Sequence, residues 1–157
     1  MSRVEPFARG LALVAMALGL THAGFSAYWA LGGRWLLRTV GEWAVRLADT
    51  DPQRAGLALG GVALVKAAAA VVPALVAYER MPWSRVWRAI SWVGAAGLVL
   101  YGGANVVVSG AVMAGLIHVD GGYDRAAIIG HVALWDPLFA MWGCALLGSL
   151  WLSRRRR

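Results

Sequence analysis

Four side chains able to bind an anion or transfer a proton lie in stretches that are otherwise apolar: His22, Lys66, Asn105 and Asp136. A lysine or aspartate at the centre of a membrane helix costs about 2.5 to 3.5 kcal/mol on insertion scales, and such groups usually face other helices and pair. Lys66 is the only lysine in the chain. We therefore predict that Lys66 and Asp136 form an ion pair inside a helix bundle.

The four side chains are predicted to form one polar layer. Counted inward from the expected outer end of each apolar stretch, each lies about 12 to 16 Å deep at about 1.5 Å per residue. Helical spacing adds further polar groups to the same faces. These are Ser26, four residues after His22, and Tyr101 and Ser109, four residues on either side of Asn105.

The last apolar stretch carries a second group of polar and aromatic residues around Asp136. His131 lies five residues earlier, about 140° around a regular helix, so we expect it to face the outer mouth of the bundle. Pro137 has no backbone N–H, which leaves the carbonyl near Ala133 free and favours a bend. Trp135 lies beside the acid and could form an apolar wall of a cavity.

We favour a binding site among the interpretations of this layer. Lys66 would neutralise the anionic head group of a membrane lipid or an amphipathic small molecule, and Asn105 and Tyr101 would add hydrogen bonds. Trp135 or Trp142 would provide apolar walls. The cavity is expected to open toward the outer leaflet.

Two other interpretations stay open. In a membrane-embedded enzyme such as a lipid isomerase, His22 would transfer protons together with Asp136 or Lys66. In a purely structural protein, the buried Lys66 and Asp136 pair would specify the register of the helices. Whether the protein is an enzyme is not decided by these residues.

No cofactor or metal is expected. Haem ligation by His22 and His131 ranks low, because their predicted depths differ by about 8 Å. A metal site in the outer region would have a nonspecific set of ligands, namely His118, Asp120, Asp124 and His131. Cys144 is the only cysteine, which excludes an internal disulfide and dithiol redox chemistry.

The composition predicts the elements that position these residues. Of 157 residues, 60% are hydrophobic, and the mean hydropathy is +0.62. Four apolar stretches reach the roughly 20 residues that span a bilayer, near residues 10–31, 56–78, 89–116 and 128–152. We predict an all-α bundle of four transmembrane helices that forms a single integral membrane domain over residues 1–157. The first stretch continues through residues 24–31, which favours a span over a cleaved leader.

The segment between the first two spans is charged but has helical periodicity. Leu36, Val40, Trp43 and Leu47 recur on one face, and charged residues occupy the opposite face. We predict an amphipathic lateral helix over residues 34–48 that lies on the outer surface of the membrane. Asp51 or Thr50 is expected to cap the next helix.

The net charge of +7 does not indicate a nucleic-acid partner, because the basic residues flank the spans. Nine lie on the side of the two termini, among them Arg3 and the run 154–157, and five lie on the other side. Under the positive-inside rule, both termini of this multi-pass protein lie on the cytoplasmic side of the cell membrane. A homo-oligomer stays open, because four spans are few for a monomeric transporter.

Three segments carry a resemblance to a known family. They are HAGFSAYWALGG (residues 22–33), the continuation RWLLRTVGEWA, and LWDPLFAMWG (residues 134–143). The chain resembles an uncharacterised family of small bacterial four-helix membrane proteins, a domain of unknown function. The resemblance implies a four-span membrane protein and implies no activity.

Overall fold

The computed structural model describes residues 4–156, with side chains over residues 5–154. Arg3 and Arg157, which contribute to the predicted charge asymmetry, lie outside the described residues. Four long helical segments account for most of the described chain: α1 (Val4–Ala30), α3 (Pro52–Ala77), α4 (Ser84–Met113) and a last segment made of α5 (Arg125–Gly130), a π-helical turn (His131–Trp135) and α6 (Asp136–Leu152). All four are long and apolar enough to cross a membrane. The predicted all-α class and four spans are therefore confirmed.

Each helical segment begins three to six residues before its predicted apolar stretch and ends at the predicted limit or up to three residues before it. For example, the first helix begins at Val4 rather than near residue 10. Hydropathy detects only the apolar part of a helix, whereas backbone hydrogen bonding continues into the polar ends. Asp51 starts α3, because its Oδ1 accepts from the Arg54 N–H at 3.0 Å.

The bundle has an open side. α1 packs against α3 on one side and α6 on the other, and α6 also packs against α4, but α3 and α4 touch at few positions. One core cluster packs the small residues Ala15, Ala70 and Ala95 against Trp142, Leu146 and Leu150. Small residues let helix backbones approach in a membrane, where no hydrophobic force drives helices together. By contrast, α3 and α4 stay apart over most of their length, and we call this open side of the bundle the α3–α4 crevice.

Two glycines allow α4 and α6 to pack backbone against backbone. A Cβ on Gly102 would lie 2.5 Å from the Asp136 carbonyl oxygen, and one on Gly143 would lie 2.8 Å from the Ala95 carbonyl oxygen. Neither neighbour is a flexible side chain that could move away. The close α4–α6 contact therefore fixes the position of Asp136 within the bundle.

The predicted lateral helix over residues 34–48 is wrong in its first half. The chain forms a 3-10 turn at Leu37–Thr39 and then α2 at Glu42–Thr50. Leu36 and Gly41 have φ values of 60° and 140°, which interrupt the helical phase on both sides of the turn. Because the phase restarts at Glu42, Trp43 is 55% exposed. We call residues 34–50 the cap segment, since they cover one end of the bundle.

The cap segment buries a different set of residues from the predicted stripe. Leu37, Ala44 and Ala48 are buried and pack with Trp29 and Trp135 of the long helices. Asp124 also holds the cap segment, because its Oδ1 caps α5 and its Oδ2 accepts from the Glu42 N–H at the start of α2. One carboxylate thus caps two helices that are distant in sequence.

The last span contains a π-helical turn where the sequence predicted a bend. The Asp136 N–H donates to the His131 carbonyl, five residues earlier, and Pro137 follows without an N–H to donate. The extra residue per turn changes which side chains lie on one face. This local change decides the partner of Asp136.

Candidate functional site

Lys66 lies at the centre of one polar group in the bundle. Its Nζ donates to Ser26 Oγ at 3.0 Å and lies 3.1 Å from His22 Nδ1. Both partners belong to α1 and are buried, while Lys66 on α3 is half-buried. His22 and Ser26 face α3 together because they lie one helical turn apart. We call these three residues the Lys66 cluster.

The Lys66 cluster contains no carboxylate. Across the part of the chain that the structure describes, no Asp or Glu oxygen forms an ion pair with Lys66. An ammonium group has three N–H donors, and two are directed at Ser26 and His22. One donor therefore remains for another partner.

Phe139 connects the Lys66 cluster to the other helices, and sequence reasoning did not identify it. Its ring centroid lies 4.0 Å from that of His22, 5.4 Å from Lys66 Nζ and 5.5 Å from the Tyr101 ring. Residues from α1, α3 and α4 thus meet over this one ring of α6. Its spacing of three residues from Asp136 was the only sequence signal, and it does not distinguish Phe139 from other apolar residues.

The α4 side of the crevice carries the predicted polar stripe. Tyr101 is 54% exposed, and Asn105 and Ser109 are half-buried on the same face of the helix. Asn105 and Ser109 make no side-chain hydrogen bond with any residue that the structure describes. Lys66 on α3 and this stripe on α4 therefore flank the crevice, with Phe139 as its floor.

Asp136 lies at the centre of a second polar group. Its Oδ2 lies 3.0 Å from His131 Nδ1, and His131 Nε2 lies 3.3 Å from the Val40 carbonyl oxygen. Trp135 Nε1 donates to Thr39 Oγ1 at 3.0 Å, beside this pair. We call Asp136, His131, Trp135 and their two cap-segment partners the Asp136 cluster.

The hydrogen-bond pattern of the Asp136 cluster fixes how many protons His131 and Asp136 share. The Val40 carbonyl only accepts, so His131 Nε2 carries a hydrogen. A single proton then lies between His131 Nδ1 and Asp136 Oδ2, held by one or the other. His131 uses both ring nitrogens within the protein and joins α6 to the cap segment.

The predicted ion pair between Lys66 and Asp136 is not formed between these described residues. Asp136 pairs with His131 instead, so the expectation that these two residues lie on different faces of the helix is also wrong. A regular helix would place His131 about 140° away, but residues five apart lie close together across a π-helical turn. The predicted polar layer is thus two clusters, with the Trp135 ring 5.6 Å from the His22 ring between them.

Three buried polar atoms have no hydrogen-bond partner among the described residues. They are His22 Nε2, Asp136 Oδ1 and Trp142 Nε1. Trp135 and Trp142 are each 2% exposed and belong to the bundle core. The prediction that one of them forms a wall of the cavity is wrong, because both rings are buried away from the crevice, and Phe139 lies there instead.

The metal site considered among residues 118–131 has no group of ligands in the part of the chain that the structure describes. Within residues 4–156, no three His, Cys, Asp or Glu side chains gather closely enough to hold an ion. Asp124 and His131, two of the four candidates, are engaged in the cap of α2 and in the Asp136 cluster.

The fold and the two clusters define a multi-pass membrane helix bundle with ionisable groups inside it. Residues 18–146 match a family described as "Protein of unknown function (DUF3995)", and the chain belongs to that family. No curated protein and no solved structure matches the chain.

Proposed function

We propose that this membrane protein binds an amphipathic, lipid-like ligand in the α3–α4 crevice, with Lys66 as the residue that holds its head group. The observation that carries the proposal is the lysine without a carboxylate partner, at the edge of a crevice between two spans. Ionisable groups inside a membrane are costly and typically mark ligand or ion sites. A ligand oxygen would take the remaining N–H donor.

The surroundings of Lys66 suit a ligand with one polar end. Ser26 and His22 hold Nζ in place, so little side-chain freedom is lost when a ligand binds. Asn105 offers an amide across the crevice, and Phe139 offers an apolar surface. Only the head of the ligand would meet polar groups, and its chain would lie along α3 and α4 in place of a membrane lipid.

The acid–base interpretation lacks an accessible ring nitrogen, and the structural interpretation fits another part of the molecule. A general base needs a ring nitrogen that faces the reacting group, but both nitrogens of His131 are engaged and His22 Nε2 is buried. The structural interpretation suits the Asp136 cluster, which joins α6 to the cap segment. Binding at Lys66 is therefore our first proposal.

A melting experiment tests the ligand site. In purified protein, dodecanoate should raise the melting temperature, because a ligand that binds only the folded state stabilises it. Lys66→Met should weaken apparent binding about tenfold or more, as expected for the loss of a charge-assisted hydrogen bond of about 1.5 to 3 kcal/mol.

Arg54→Met is the matched control for that experiment. It removes one positive charge from the same helix, at a side chain that is 81% exposed and outside the crevice. Dodecanoate should stabilise this variant as it does the parent protein. Equal stabilisation of Lys66→Met would overturn the proposal.

We further propose that the protein lies in the cell membrane with both termini cytoplasmic and the cap segment outside, as the charge asymmetry indicates. A Cys144→Ser background removes the only thiol. In intact cells, Asp120→Cys should then react with a membrane-impermeant maleimide, and Ser84→Cys should react only after lysis. The reverse labelling pattern would show that both termini lie outside and would overturn the proposed orientation.

A further inference from the structure

From the depth of Lys66 we infer that the ligand is a long-chain carboxylic acid rather than a phospholipid or another permanently charged amphiphile. This inference rests on the proposed function and narrows its ligand. It depends on where the lysine lies in the membrane and on how each kind of head group could reach it.

Lys66 lies near the middle of its span. At about 1.5 Å per residue, it is about 21 Å along α3 from Pro52 and about 17 Å from Ala77. The hydrocarbon core of a bilayer is about 30 Å thick. Because Ser26 and His22 hold Nζ, the side chain does not extend along α3 to either interface.

A phosphate head group does not reach this depth at low cost. It stays charged, and moving a charge into hydrocarbon costs several kcal/mol even where the membrane deforms. A phospholipid that binds along α3 and α4 would keep its phosphate at the interface, far from Lys66. The lysine would then make no contact with it.

A carboxylic acid can enter the hydrocarbon in its uncharged form. The Lys66 ammonium of the empty site releases one proton to water, and the uncharged acid then meets the amine. The carboxyl O–H bond breaks, its proton forms a new N–H bond on Nζ, and the resulting ammonium–carboxylate pair has no net charge. Loading the site therefore brings no net charge into the membrane.

The contacts around Lys66 also fit a small planar head group. A carboxyl group has two oxygens: one would accept from Nζ of Lys66 on α3, and the other would face the polar stripe of α4, where Asn105 lies. Phe139 lies under both helices, with Lys66 Nζ 5.4 Å and the Tyr101 ring 5.5 Å from its centroid. A carboxyl head would lie over this ring with its chain directed out of the crevice.

The inference is tested in phosphatidylcholine nanodiscs, which preserve the bilayer depth. Hexadecanoic acid should raise the melting temperature of the protein, whereas hexadecyl phosphate and hexadecanol at the same mole fraction should have less than about a tenth of the apparent affinity. With hexadecanoic acid labelled with ¹³C at the carboxyl group, a second carboxyl resonance should appear that is absent with Lys66→Met and retained with Arg54→Met.

The outcomes separate the two proposals. Equal binding of hexadecyl phosphate or hexadecanol, lost in Lys66→Met, would overturn the carboxylic acid and leave the Lys66 site intact. Binding of none of the three, or binding of all three that is unchanged in Lys66→Met, would overturn the site itself. If Lys66→Met does not fold, Asn105→Leu provides the second variant, and an unchanged carboxyl resonance in it would overturn the proposed head-group contacts.

Discussion

The Lys66 and Asp136 clusters both place an ionisable group between membrane helices, but they differ in what surrounds that group. Asp136 is 1% exposed and bonds to a histidine that in turn bonds to the cap segment. Lys66 is half-buried, lacks a carboxylate partner and borders a crevice. A charged group whose partners belong to its own protein stabilises the fold, and one that lacks a counter-charge is available to a ligand.

The largest predicted effect concerns the closed cluster. His131→Ala leaves the buried Asp136 without its partner, which should lower the free energy of unfolding by about 3 kcal/mol. Chemical unfolding in detergent, followed by tryptophan fluorescence, measures the loss. Adding Asp136→Leu to this variant should recover part of it, because the unpaired carboxylate is then gone. A further loss in the double variant would contradict the closed pair.

A smaller effect is expected where Trp135 binds the cap segment. Trp135→Phe removes the hydrogen bond from Nε1 to Thr39 Oγ1 and should cost about 1 kcal/mol. Hydrogen exchange should increase in residues 34–50 and stay unchanged in α4. Thr39→Val breaks the same bond from the other side and should match it. Unequal exchange in the two variants would mean that the tryptophan ring, and not the bond, holds the cap.

The open cluster should respond in the opposite way. Asn105→Ala removes a side chain that makes no hydrogen bond to the described residues, so stability should change by less than about 0.5 kcal/mol. Stabilisation by hexadecanoic acid should nevertheless decrease. A clear loss of stability without added ligand would show that Asn105 belongs to the structural network.

The smallest expected quantity is the coupling between the two clusters. In a double-mutant cycle with Lys66→Met and Asp136→Asn, the changes in unfolding free energy should add within about 0.5 kcal/mol, because no hydrogen bond or ion pair joins these two described residues. Melting curves of the two single variants and the double variant provide the measurement. Strong coupling would instead indicate the direct ion pair between Lys66 and Asp136 that the sequence predicts.

Much of the architecture could be predicted because its signals are local. Apolar length identified the four spans, and Asp51 beside Pro52 indicated the start of α3. The prediction of the lateral helix was partly wrong, because hydrophobic periodicity does not reveal where the backbone turns. Leu36 adopts a left-handed conformation as the chain turns back onto the bundle, so the apolar stripe that begins there is out of phase with α2.

The site residues likewise divide into those with a local sequence signal and those that only the tertiary structure reveals. His22, Ser26 and Lys66 were identified by polarity and spacing, and the structure brings them together. Phe139 was missed, because an apolar residue in an apolar helix carries no signal until the helices around it are known. His131 was placed on the wrong face, since a single π-helical turn changes the angular position of the residues before it.

The sequence by itself determined that the chain forms four membrane-spanning helices and that a few ionisable residues must lie within them. Length and hydropathy suffice for this, because the bilayer requires each span to satisfy its own backbone hydrogen bonds. Only the tertiary structure decided which ionisable groups meet. Partners depend on the rotation of each helix about its axis and on how closely Gly102 and Gly143 let α4 approach α6. The π-helical turn brings Asp136 to His131 in its own helical segment, and the rotation of α3 toward α1 leaves Lys66 with a hydrogen-bond donor for a partner from outside the chain.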